Sequence, residues 1–176
     1  MFTMRGLSLI VLTVLCSLGN ARACGSKLID MGFGATFAQI HKADHPASIL
    51  LYMNPSSQLP AADKDIQLQS MLKSAGHSLK PIGDRTELLR TLKAGSFDFV
   101  VAALPDADAL KSDVAAAPGK PMLVAMLYKP SKEQMTAAKT QFTCPVKAEK
   151  NNQLLRVLEE ASKSKQKAAA FKCPTA

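Results

Sequence analysis

Apolar and polar positions along this chain alternate between two textures. Short runs that are apolar at nearly every position are separated by segments whose apolar residues return every three or four places. The clearest run is Phe97 to Leu104, FDFVVAAL, entered from Gly95 and left through Pro105. A run of that length, rich in β-branched residues, fits a strand buried on both faces of a sheet. Ser48 to Tyr52 (SILLY) and Pro121 to Tyr128 (PMLVAMLY) share its texture. His77 to Ile82 is shorter, and Pro81 lacks the N–H that a central ladder needs, which predicts an edge strand. Gln141 to Val146 is a fifth, poorer strand.

Helical spacing fills the intervals. Leu68, Met71, Leu72 and Ala75 predict a helix over Asp63 to Ala75, with Gly76 as its stop. Asp84-Arg85-Thr86-Glu87 has the form of a capping box and starts a helix that carries Leu88, Leu89 and Leu92 and ends at Gly95. Asp106 to Ala115 is a weaker helix, followed by a Pro118-Gly119 turn. Ser131-Lys132-Glu133-Gln134 caps a helix running to about Lys139. Asn152 to about Ala170 is a long helix with Leu154, Leu155, Leu158 and Ala161 inward. Strand and helix alternate five times with no repeat or linker between them. That calls for an α/β fold, a parallel sheet with helices on both faces, in one domain over 47–162. Ligands on such sheets gather at the carboxyl ends of the strands. In the central strand that end is Ala102, Ala103 and Leu104, which offer no reactive group.

The ends of the chain change the picture. Arg5, the apolar run Leu7 to Leu18 and the small-x-small site Ala21-Arg22-Ala23 together form a secretory signal over 1–23, cleaved after Ala23, which places the mature protein in the periplasm or outside the cell. The apolar run is too short to span a bilayer comfortably. Residues 24–46 are a lead-in, and 163–176 a basic tail continuing the last helix. Of 22 basic and 14 acidic residues the signal removes Arg5 and Arg22 and no acid, so the formal net charge falls from +8 to +6. Lys163, Lys165, Lys167 and Lys172 supply much of the excess. They suit the last turn of a helix, and no aromatic residues interleave with them as nucleic-acid stacking platforms do, so no nucleic-acid partner is expected.

Cys16 leaves with the signal, and Cys24, Cys144 and Cys173 remain in a compartment where disulfides persist. Cys144 opens the fifth strand and Cys173 follows the last helix, which returns toward the same end of the sheet. The preferred bridge is Cys144 to Cys173, with Cys24 to Cys173 nearly as good. Acylation of Cys24 at the cleavage site would free the other two to pair and would bring the protein to a membrane. Against it, Ala21-Arg22-Ala23 lacks the leucine that lipoprotein signals usually carry three residues before the cysteine.

Reactive motifs are scarce. Gly32-Phe33-Gly34 opens like a dinucleotide loop, but Phe37 stands where the third glycine belongs and no good strand precedes it. His41 and His45 share a face if Thr36 to Asp44 is helical, yet two histidines do not close a metal site. No Cys-x-x-Cys and no Gly-x-Ser-x-Gly elbow occurs. The expectation is a protein that is not an enzyme and has neither cofactor nor metal.

The order of elements resembles the receiver domain of bacterial response regulators, over about Ala47 to Ser162. The segment SAGHSLKPIGDRTELLRTLKAGSFDFVVAALPDAD is similar to the family's second strand through the loop after its third, and PMLVAMLY with VKAEKNNQLLRVLEEA to its fourth strand and the approach to its last helix. The resemblance implies a flavodoxin-like sheet in the order 2-1-3-4-5. It also implies an acidic pair for Mg²⁺ after the first strand, an aspartate ending the third, a hydroxyl ending the fourth and a lysine ending the fifth, because a hard cation must neutralise the transferring phosphoryl group. Here those places hold Tyr52 and Met53, Ala103, Met126 and Lys147. Only the lysine matches, and Ala148 replaces the proline that normally follows it. The resemblance thus implies an exported, degenerate receiver without phosphoacceptor chemistry, an interaction module for a protein of the cell envelope. Its contact rim would be Tyr52, Met53, Leu104, Met126 and Lys147, unless these simply fill the core where carboxylates once stood. The alternative is a periplasmic protein that binds a small molecule or a metal, through that rim or through His41, His45 and His77.

Overall fold

The structure is a computed structural model, and it describes residues 42–149, 153–167 and 170–174. Five strands, β1 (Ser48–Tyr52), β2 (Ser78–Ile82), β3 (Phe99–Ala103), β4 (Met122–Leu127) and β5 (Val146–Lys147), form one all-parallel sheet in the order β2-β1-β3-β4-β5. Helices α1 (Leu59–Ile66), α2 (Leu68–Ser74), α3 (Arg85–Ala94), α4 (Leu104–Ala115), α5 (Lys132–Gln141) and α6 (Gln153–Gln166) flank it. This is the parallel α/β sheet that the alternation of textures calls for, in the flavodoxin-like order that the resemblance implies. The signal, most of the lead-in, His41 and Cys24 lie outside the described residues.

The sheet is buried on both faces, and its period of two sorts the core into halves. Phe99, Val101 and Ala103 of β3 join Ile49 and Leu51 of β1 against α1, α2 and α6. Val100 and Ala102 join Leu50 and Tyr52 against α3 and α4. Every residue of β3 is buried, which is why its sequence shows no polar alternation. Pro81 sits on β2, an edge strand bonded only to β1, where its missing N–H costs no ladder bond.

Four of the differences from the sequence reading have a clear local reason. The single helix expected over 63–75 starts at Leu59, with Pro60 in its first turn, and breaks at Gln67, whose φ of 52° is left-handed. Asp63 stabilises that break: its carboxylate accepts from the Gln69 backbone N–H at 2.8 Å and from the Gln69 side-chain amide at 2.7 Å. Leu104 is the first residue of α4 rather than the last of β3, since Pro105 fits a first helical turn. The fifth strand shrinks to Val146–Lys147 because Gln141 still belongs to α5; Phe142 and Cys144 alternate like strand residues but are buried from a loop. Finally, the tail continues α6 only as far as Gln166, and the described residues 170–174 are not helical. Cys173 instead returns to Cys144, the Cα atoms 5.5 Å apart in a disulfide.

Of the two capping signals, the second forms the full reciprocal box and the first its N-cap half. Asp84 accepts from the Glu87 backbone N–H at 2.8 Å, and Ser131 and Gln134 form a reciprocal capping box. Gly76 carries a φ of 94° just after α2, a conformation that side-chain-bearing residues rarely adopt.

His77 is a buried polar residue whose Nδ1 accepts the Ala47 backbone N–H at 3.2 Å, which leaves the ring neutral with its proton on Nε2. Burial pushes its pKa below 6.5, with the Glu159 charge opposing. Between the depressed folded value and the unfolded value, the unfolded chain holds the extra proton. The contribution of neutral His77 is therefore complete above about pH 6.5 and is lost as pH falls below it. Urea midpoints taken on the two sides of that value should drop more for the wild type than for His77→Gln; equal drops would contradict the assignment.

Candidate functional site

Parallel strands aim all five carboxyl ends at one edge of the sheet, and the order places a switch between β1 and β3, where the connections leave toward opposite faces. A recess of about 290 Å³ opens there, lined by the segments that follow β1, β3 and β4. Its floor is apolar: Leu59, Ala103, Leu104, Met126 and Pro130. Asn54, Ser57, Asp106 and Gln134 bring polar groups to it.

Two side-chain bonds tie these loops together. The Asn54 side-chain amide donates to Asp106 Oδ1 at 2.7 Å, fastening the β1–α1 loop to the first turn of α4. Its own carbonyl oxygen accepts the Ser56 backbone N–H at 3.0 Å, so one asparagine shapes its loop and anchors it. On the opposite rim the Tyr128 hydroxyl donates to Asp65 Oδ2 at 3.1 Å, holding the β4–α5 loop against α1. Lys129, with φ of 47°, places its ammonium 3.7 Å from the same carboxylate and 4.7 Å from the centre of the Tyr128 ring. The recess is thus framed before anything enters it. Asp106 Oδ2 is shielded from solvent and has no hydrogen-bond partner.

The five residues of the expected rim separate. Leu104 and Met126 line the recess, whereas Tyr52, Met53 and Lys147 do not. Tyr52 and Met126 are core residues, only 6 % and 2 % exposed, and so are not the accessible contacts an adaptable surface needs. Met53 is half-buried against the α1 and α2 side of the core. Burial, followed by the Asp106 charge, raises the Tyr52 phenol above its ordinary value, with Asp84 adding and Arg85 opposing. Lys147 lies 3.8 Å from Glu149 Oε1 and donates its backbone N–H to the Gln153 side chain at 3.2 Å. Ala103, where the resemblance implies the phosphoacceptor, is 5 % exposed.

A second hollow of about 620 Å³ lies near the disulfide, with His77, Glu159 and Cys173 in its wall. Glu159 Oε2 accepts the His45 backbone N–H at 3.4 Å, and its Oε1 lies 3.8 Å from His45 Nε2. Among the described residues, no group of three or more His, Cys, Asp or Glu side chains is placed to hold a metal ion.

Asn54 and Asp106 carry no motif in the sequence: one follows a strand and the other stands in the first turn of a helix. Their signal was positional: both follow strands that end at the same edge of the sheet. Comparisons of the chain with protein-family models, curated proteins and solved structures return no match.

Proposed function

We propose that this chain is an exported, degenerate receiver-like domain that acts by binding a protein partner of the cell envelope at the mouth of its sheet, without phosphoacceptor chemistry. The observation that supports this reading is the filling of the mouth. Tyr52, Ala103 and Met126, which stand where the resemblance implies acid, acceptor and hydroxyl, are all three buried against the core. A phosphoryl group needs a carboxylate acceptor and a cation held by further oxygens. Asp106, the carboxylate in the recess, is engaged by Asn54. Removal of the signal after Ala23 and the Cys144–Cys173 bridge belong to the same reading, since a disulfide persists outside the reducing cytoplasm.

Beryllofluoride with Mg²⁺ tests it. Amide spectra of the mature protein should show no Mg²⁺-dependent shift at Ala103 or Met126, while a saturable shift at both would mean a live acceptor site. A second reading, a small-molecule binder, is favoured by one feature: the mouth is a framed recess rather than a flat face.

A further inference from the structure

Three features of the mouth recess bear on what enters it. The first is charge: among the described residues Asp106 is the one charged side chain in the lining, and the Lys129 ammonium at the rim is turned to Asp65 at 3.7 Å. The second is the state of that carboxylate. One oxygen takes the Asn54 amide at 2.7 Å, and the other, closed off from solvent, has no partner. A buried carboxylate oxygen lacking a donor is costly, and a charged donor satisfies it best. A ligand meets it only through a rotation of the carboxylate that also moves the oxygen held by Asn54. The third is the state of the neighbouring helix starts, which in sheets of this kind commonly hold anions. Pro60 and Pro105 remove a backbone N–H from the first turns of α1 and α4. The Leu59 N–H is directed to Ser57 Oγ at 3.3 Å, and the Gln134 N–H is taken by Ser131 Oγ.

We infer that the recess recognises a primary ammonium group on a short apolar stem, with Asp106 as its counter-charge and Leu104 and Pro130 against the methylenes. This deepens the binding reading above and rests on it. A lysine side chain of a protein partner and a free alkylamine share this chemistry, and about 290 Å³ admits either but not a nucleotide cofactor. A divalent metal fits poorly. It asks for several oxygen ligands, and the Asn54 carbonyl oxygen is already turned to the Ser56 N–H at 3.0 Å.

Titrating the mature protein with n-butylammonium, butanol and butanoate, followed by amide NMR, is the test. A peptide with one central lysine between glycines, acetylated and amidated at its ends, is a fourth probe. The ammonium should shift Asn54, Leu104 and Asp106 saturably and bind at least about tenfold tighter than butanol, with butanoate weaker still. Asp106→Asn should reduce the ammonium to the level of butanol. A peptide tighter than butylammonium identifies a protein lysine as the source, and the reverse order a free amine; both support the inference. Equal binding of all probes to the wild type would overturn it, as would Mg²⁺ producing these shifts where butylammonium does not. The wild-type ratio decides even if Asp106→Asn fails to fold. Loss of ammonium preference leaves the binding reading standing, whereas a beryllofluoride response removes that reading whatever the amines do.

Discussion

Phe99→Ala is expected to destabilise the fold by about 3–5 kcal/mol, measured as a shift of the urea midpoint, while leaving the response at the mouth unchanged. Phe99 is fully buried in β3, the central strand, and stands in register with Ile49 on one side and Met122 on the other. Its ring packs into the core half shared by α1, α2 and α6, and the Lys165 ammonium lies 6.0 Å from its centre while pairing with Asp98 at 3.3 Å. Removing the ring leaves a cavity that rigid neighbours on two strands cannot close. Because Phe99 lies at the amino end of β3, the recess at the other end should keep its probe-binding pattern. A loss below about 1 kcal/mol would place Phe99 in a site able to collapse and would argue against β3 as the buried centre of the sheet.

The second large effect is expected from the disulfide. Cys144 and Cys173 are 29 residues apart, and closing a loop of that length restricts the unfolded chain by about 3–4 kcal/mol. A Cys144→Ala, Cys173→Ala variant should lose a comparable amount, and reductant should bring the wild type close to it while leaving the variant unmoved. The bridge does a specific job: with α6 ending at Gln166, it ties the following tail back to the loop before β5, the shortest strand. A wild type indifferent to reductant would contradict this contribution.

The strong features of the fold were legible because one physical requirement wrote them. Strands buried on both faces must be apolar at nearly every position, and β1, β3 and β4 are. Proline on a strand must stand at an edge, and Pro81 does. What escaped the sequence were places where two patterns coincide. Met71, Leu72 and Ala75 continue the helical period past Gln67, so the break between α1 and α2 leaves no mark except in the backbone angle of Gln67 and the reach of Asp63 to Gln69. Phe142, Cys144 and Val146 alternate as a strand would, although only Val146 lies in one.

The site was less legible for a related reason. The turn chemistry that makes asparagine and aspartate good loop and helix-start residues is the chemistry that lets them face a ligand. Asn54 and Asp106 show both roles at once, and only the 2.7 Å bond between them tells the roles apart. Tyr52 and Met126 point the other way. As candidates for a contact surface they are apolar residues at strand ends, and the structure packs them into the core. A residue type alone does not say on which side of that boundary it falls.

At the mouth, core residues stand at the acceptor and cation positions that the resemblance implies, beside a recess proposed to bind. Intact-mass analysis of the mature protein after incubation with acetyl phosphate and Mg²⁺ tests this most directly. The unmodified mass should persist at every Mg²⁺ concentration, in the wild type and in Asp106→Asn alike. A Mg²⁺-dependent phosphoryl adduct on the wild type that vanishes in Asp106→Asn would contradict it, since Asp106 would then be an acceptor rather than a counter-charge.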